Sequence, residues 1–131
     1  MNHQKLGHIF ILGLGISGMS LALYLTKNKI LNSCWDDQIQ VRNKAQKKGL
    51  NIQDVTSRSM IKTTVLVLSP GINHGEKQPH KAVIIAQKLK IKIVTDIEFL
   101  KILDFKNFLI GVTGTNGKST TTHFINKVIS Y

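Results

Sequence analysis

The sequence predicts an α/β fold, an open parallel sheet with helices on both faces, and three observations predict it. Short runs of β-branched and large apolar residues alternate with longer stretches of helical spacing. Each short run is apolar at consecutive positions, as a strand covered on both sides must be. A glycine cluster follows the first run and opens the first helical stretch, the strand–turn–helix order of a parallel α/β unit.

"HIFIL" at 8–12 is the first strand, closed by Gly13. Over 17–27, Met19, Leu21, Ala22 and Leu25 recur at helical spacing, with Ser17 placed as a cap. "NSCW" at 32–35 is a short second strand. Residues 38–48 are polar except for Ile39, Val41 and Ala45, which predicts a surface helix stopped by Gly49. "TVLVLS" at 64–69 is a third strand, ended by Pro70 and Gly71. Residues 79–90 predict a helix opened by Pro79, with Val83, Ile84, Ala86 and Leu89 turned inward. "IKIVT" at 91–95 is a fourth strand, and 96–103 a short helix with Asp96 as its cap and Glu98 in its first turn. "NFLIGVT" at 107–113 predicts a further strand, and a last helix runs through "STTTHFINKVIS". The boundary signal "LDFKN" divides the chain into 1–104, a complete α/β unit, and 105–131, the start of a second.

Composition narrows the function classes. Apolar residues are 42% and charged residues 19%, a globular balance. The net charge is +11, but sixteen of the eighteen cations are scattered lysines. No aromatic RNA-binding motif or zinc-finger spacing accompanies them, so no nucleic-acid partner is expected. Residues 8–25 have the apolar weight of a signal peptide or a marginal membrane span, but three glycines split the run, and no membrane partner is expected. The single cysteine, Cys34, excludes an internal disulfide and fits a reducing, cytoplasmic compartment. His74, His80 and His123 have no metal-ligand spacing and are expected to face solvent.

Two glycine loops carry the chemistry. The first, "GLGISG", is Gly13, Gly15 and Gly18 between a strand and a helix. Gly13 permits the turn, Gly15 lets a diphosphate approach the backbone, and Gly18 lets helix and strand pack closely. The N–H groups of Ile16, Ser17 and Gly18 then face an anion at a helix start. An acidic residue is expected about 20 positions on, and Asp36 and Asp37 stand there. Trp35 is placed either to stack on a base or to pack the strand end. The second loop runs Gly114, Thr115, Asn116, Gly117, Lys118, Ser119 and Thr120. Valine at 112 departs from the strict phosphate-loop pattern, but the chemistry is present. Lys118 reaches β- and γ-phosphates, Ser119 ligates Mg²⁺, and Thr120 bonds a phosphate oxygen. A dehydrogenase needs only the first loop and a simple ATPase only the second. An enzyme that activates a nucleotide-linked substrate with ATP needs both.

"IGVTGTNGKSTTT" closely resembles the ATP loop of the Mur ligases, and "GLGISGMS", "WDD", "LSPGI" and "VTDIEFL" in that order resemble the D-glutamate-adding branch of that family. The resemblance implies a Rossmann-like domain for the UDP substrate, followed by the truncated start of a P-loop ATP-binding domain. It implies UDP-N-acetylmuramoyl-L-alanine and D-glutamate as substrates, ATP and Mg²⁺ as cofactors, and a monomer. It places Ile16 and Ser17, with Gly15 and Gly18, on the UDP diphosphate, and Asp36 and Asp37 at the uridine. It also puts Ser69 and Gly71 beside the diphosphate, residues 114–120 on ATP, and Lys118 and Ser119 in catalysis. Gln38 stands where relatives often carry arginine, and Pro79-His80 replaces a His-Pro pair. The family's acidic Mg²⁺ ligands, modified lysine and D-glutamate-binding domain have no counterpart here, so the chain is expected to be a truncated product without ligase activity of its own. Another Mur-type ligase and a nicotinamide-binding oxidoreductase domain are the alternatives.

Overall fold

The computed structural model describes residues 6–72, 77–103 and 110–130. In chain order its elements are β1 (His8–Leu12), α1 (Ile16–Lys27), β2 (Asn32–Trp35), α2 (Ile39–Lys47), α3 (Ser57–Met60), β3 (Thr63–Leu68), α4 (Lys81–Lys88), β4 (Lys92–Thr95), α5 (Asp96–Ile102) and α6 (Lys118–Ile129). The four strands form one parallel sheet in the order β2-β1-β3-β4. The chain winds outward from β1 to β2, then returns to add β3 on the other side of β1. The carboxyl ends of β1 and β3 therefore flank the point where the winding reverses, the usual ligand crevice of such a sheet.

Side-chain alternation along the strands builds two cores. Ile9, Ile11, Val65 and Val67 pack with Leu21, Ala22 and Leu25 of α1, Ala45 of α2 and Phe99 of α5. Phe10, Leu12, Leu66 and Leu68 pack on the opposite face with Met60 of α3 and Ala82, Val83 and Ala86 of α4. Neighbouring residues serve opposite cores, so each central strand must be apolar at every position. Cys34 is fully buried on β2, and burial pushes its thiol pKa up to about 12, which makes it a packing residue.

Three helices end in one way. At the ends of α1, α2 and α4, Lys29, Gly49 and Lys90 adopt left-handed backbone with φ of 56°, 79° and 54°. The next residue's N–H reaches back to the helix: Ile30 to the Leu25 carbonyl, Leu50 to Ala45 and Ile91 to Ala86, at 2.9, 3.2 and 2.8 Å. Ile30, Leu50 and Ile91 are buried, as the apolar contact of this helix-ending motif requires. Each such ending turns the chain under the sheet and starts the next strand or strand-like segment.

Several sequence expectations are corrected. The cap of α1 is Gly15, and Ser17 lies inside the first turn without a cap hydrogen bond. The cap of α5 is Thr95, paired with Glu98 in a reciprocal capping box, while Asp96 is the first helical residue and buried. The helix expected from Pro79 starts at Lys81, because the His80 ring caps it. The single turn α3 has no apolar period to announce it and rests on the Thr56–Ser59 capping box. The strand expected at 107–113 does not form over its described part, 110–113. A strand exists through hydrogen bonds to a neighbour, and these residues have none in the sheet. Helix α6 does form, but buries no residue, and Phe124, Val128 and Ile129 lie exposed. Most of the boundary segment at 103–107, and His74, fall outside the described residues.

Lys29 and Lys90 hold a conformation that disfavours a side chain. Replacing Lys90 by glycine is expected to stabilise the chain by about 0.5–1 kcal/mol, read from urea denaturation.

Candidate functional site

The crevice between the ends of β1 and β3 opens into a cleft of about 580 Å³ lined by Gly13, Gly15, Ile16, Ser17, Asp36, Asp37, Gln38, Ser69, Pro70, Gly71 and Ile72. Its floor is the β1–α1 loop. Gly13 takes φ +87°, and its carbonyl accepts the Ser69 hydroxyl at 2.7 Å in a buried hydrogen bond that ties the end of β3 to the loop. Gly18 lies directly above that bond, and a Cβ there would overlap the Gly13 carbonyl and press to 2.5 Å from the Ser69 Oγ. The first turn of α1 therefore comes down onto the strand end with its amides facing the cleft. A Cβ at Gly15 would meet nothing within 4 Å, so the backbone there is open to a ligand.

The other wall is the turn after β2. Asp36 accepts the Leu14 N–H on Oδ2 at 2.7 Å and the Gln38 N–H on Oδ1 at 2.9 Å. Its carboxylate thus braces the glycine loop against the turn, and it keeps lone pairs for a ligand. Asp37 is largely exposed. Its modest burial works to raise its pKa, but hydrogen bonds from Trp35 and His80 and the charges of His80 and Lys81 outweigh it, so the pKa falls below the usual value. Arg42 comes up from α2 and donates to the carbonyls of Asp36 and Asp37 at 2.6 and 2.9 Å. Its guanidinium lies 4.1 Å from the centre of the Trp35 ring. Lys81 lies 5.6 Å from the same ring.

Seven of the eight residues expected on the UDP side meet in this one cleft: Gly15, Ile16, Ser17, Asp36, Asp37, Ser69 and Gly71. Gly18, the eighth, is buried beneath it and serves as a packing surface. Trp35 does not line the cleft, and its ring is partly covered by cations. Sequence reasoning missed two residues. Arg42 sits on a polar helix with no spacing to mark it. His80, expected in solvent, is a helix cap turned onto Asp37, a contact 43 residues apart that no local pattern encodes.

The second loop stands apart. Among the described residues, none of 110–130 lines the cleft. Gly117 has φ +76° and caps α6, whose first residues are Lys118, Ser119 and Thr120. The Lys118 ammonium folds back onto the Gly114 and Thr115 carbonyls. Residues 114–120 are all exposed, so their amides and the Ser119 hydroxyl are accessible to a phosphate and its metal. That fits a nucleotide phosphate tail. Among the described residues, no group of three His, Cys, Asp or Glu side chains converges to hold a metal, so a cation at Ser119 would take its other ligands from phosphate and water. No helix among the described residues is long and apolar enough to cross a membrane.

Residues 7–95 match the family described as Mur ligase MurD-like, N-terminal domain. The chain belongs to that family. Among curated relatives, the UDP-N-acetylmuramoylalanine–D-glutamate ligase of Rhodospirillum rubrum is 37% identical over 131 residues, covering 96% of this chain and 27% of its own. The enzyme of the same name from Wolbachia pipientis wMel is 37% identical over 132 residues, covering 98% of this chain and 25% of its own. The chain therefore spans about a quarter of the length of the curated relatives it matches. A solved structure, shikimate dehydrogenase from Aquifex aeolicus, covers 76% of this chain and 49% of its own at a TM-score of 0.46 and 17% identity, too slight a likeness to carry an argument. The family match spans the sheet and the whole UDP-side wall of this MurD-like domain up to Thr95.

Gly18→Ala is expected to cost roughly 3 kcal/mol of stability, because both atoms it would meet are fixed by the buried Ser69–Gly13 bond. Urea denaturation measures it, and a change below half that value would show that the loop relaxes.

Proposed function

We propose that this chain is the UDP-substrate-binding end of an ATP-dependent ligase of peptidoglycan precursor synthesis, one that adds D-glutamate to UDP-N-acetylmuramoyl-L-alanine. The observation that carries the reading is the gathering of Gly15, Ile16, Ser17, Asp36, Asp37, Ser69 and Gly71 into one cleft at the reversal of the sheet. The amides at the start of α1 accept the diphosphate. The carboxylates of the β2–α2 turn meet the uridine, and Ser69 with Gly71 borders the diphosphate from the β3 side.

The reaction explains the second loop, and with it the proposed division into 1–104 and 105–131. A carboxylate is a poor electrophile. Transfer of the ATP γ-phosphoryl group to the terminal carboxylate of the UDP-linked substrate makes an acyl phosphate, which the amine of D-glutamate attacks with loss of phosphate. Residues 114–120 bind the ATP phosphates. Lys118 leaves the Gly114 carbonyl to neutralise charge on the transferring group, a catalytic role, and Ser119 would hold Mg²⁺, which supplies further charge neutralisation there. Cytoplasmic location and action as a monomer belong to the same proposal. The complete activity is proposed for a protein of the relatives' length. These 131 residues alone are proposed to bind without turnover.

Two measurements test this. UDP at a hundredfold excess over its Kd is expected to stabilise the chain by about 2.7 kcal/mol, a melting shift of roughly 10 °C. Protection by NAD with none by UDP would overturn the cleft assignment in favour of an oxidoreductase domain. In a coupled phosphate-release assay with UDP-N-acetylmuramoyl-L-alanine, ATP and D-glutamate, the isolated chain is expected to give no turnover above background. Steady release would refute the view that it is inactive alone.

A further inference from the structure

The Asp37 side chain is 65% exposed, yet it is held on two sides. The Trp35 Nε1–H donates to Oδ1 at 3.1 Å, and the His80 ring nitrogen Nε2 lies 3.1 Å from Oδ2. The His80 side chain is only 15% exposed. Its other nitrogen settles the tautomer. The Ala82 N–H donates to Nδ1 at 3.1 Å, so in the neutral ring Nδ1 carries no hydrogen and Nε2 carries the one that Asp37 accepts. Asp37 lines the cleft, and His80 stands behind it.

The nearby cation does not perform this task. Arg42 spends its donors on the backbone carbonyls of Asp36 and Asp37, not on the carboxylate. Asp37 is therefore oriented by two ring N–H groups from different elements, β2 and the cap of α4. A carboxylate with lone pairs to spare recognises a donor. Among pyrimidine bases, uracil presents an imide N–H at the ring position where cytosine presents a lone pair.

We infer that His80 is a positioning residue for base recognition, aiming the Asp37 carboxylate through its Nε2–H at the imide N–H of a uridine nucleotide in this cleft. The inference rests on the reading of the cleft as a UDP site. It gives the imidazole two simultaneous duties, capping α4 and fixing the carboxylate.

The duties separate by substitution. Serine and asparagine both cap helices well but do not reach as an imidazole does. His80→Ser and His80→Asn are compared with the unaltered chain, Asp37→Asn and the His80→Ser/Asp37→Asn double variant, titrating UDP, CDP and pyrophosphate by calorimetry. Both His80 variants are expected to melt within roughly 2 °C of the unaltered chain. UDP affinity is expected to fall roughly five- to tenfold, with pyrophosphate unchanged and the preference for UDP over CDP reduced. The double variant is expected to bind UDP no more weakly than Asp37→Asn alone. If UDP affinity stays constant in both variants, or falls in parallel with pyrophosphate, His80 is only a helix cap and the inference fails. An unaltered chain that binds no UDP overturns the assignment of the cleft itself, and this inference with it.

Discussion

The Ser69 hydroxyl bonded to the Gly13 carbonyl beneath Gly18 is the contact on which the ligand-facing end of this molecule depends. It joins the ends of the two central strands at the point where the winding reverses. It also sets the height at which α1 meets the sheet, because no atom fits between that bond and the first helical turn. A helix held a Cβ radius further out would aim its amides past the crevice, not into it. Asp36 completes the arrangement from the side by taking the Leu14 N–H. The loop is thereby fixed from below and from one flank, and the amides that remain face the cleft.

The same economy governs the architecture beneath. Three helices end in left-handed turns that bury Ile30, Leu50 and Ile91 and feed the chain back under the sheet. Only Gly49 suits that backbone. Lys29 and Lys90 accept strain, which means the buried residue after each of them and the hydrogen bond it makes outweigh a local cost of about 1 kcal/mol. The packing on both faces decides these loops, not the preference of the turn residue.

What the sequence announced, and what it did not, follows from the range of the interactions. The four strands of the sheet were legible because burial on both faces demands consecutive apolar residues, and Ile9 to Leu12 or Val65 to Leu68 obey that without exception. The glycine loop was legible because Gly13 and Gly18 answer local steric needs. Caps were misread by one or two residues because Ser17, Asp96 and Pro79 all satisfy the local preference while neighbours satisfy the geometry. The strand at 107–113 had the right composition but no partner to make it one. His80 and Arg42 were invisible, since their partners are set by how α4 and α2 lie against the end of β2. A pattern within a window of ten residues cannot hold a contact across forty-three.

The charge of the chain acquires a different meaning beside this site. A total of +11 suggests a surface that draws anions by lysine. Among the described residues, the lining of the cleft contains no lysine or arginine at all, and two aspartates form its far wall. Whatever anion enters is held by backbone amides and the dipole of α1, short-range and directional, while Arg42 works from behind on carbonyl oxygens. Fixed dipoles need no side chain to be ordered on binding, and they distinguish where along a ligand its charge lies. A lysine-lined cleft would take any polyphosphate. This one sets amides at one end and acceptors at the other, and so favours a ligand that is anionic in its middle and a hydrogen-bond donor at its tip.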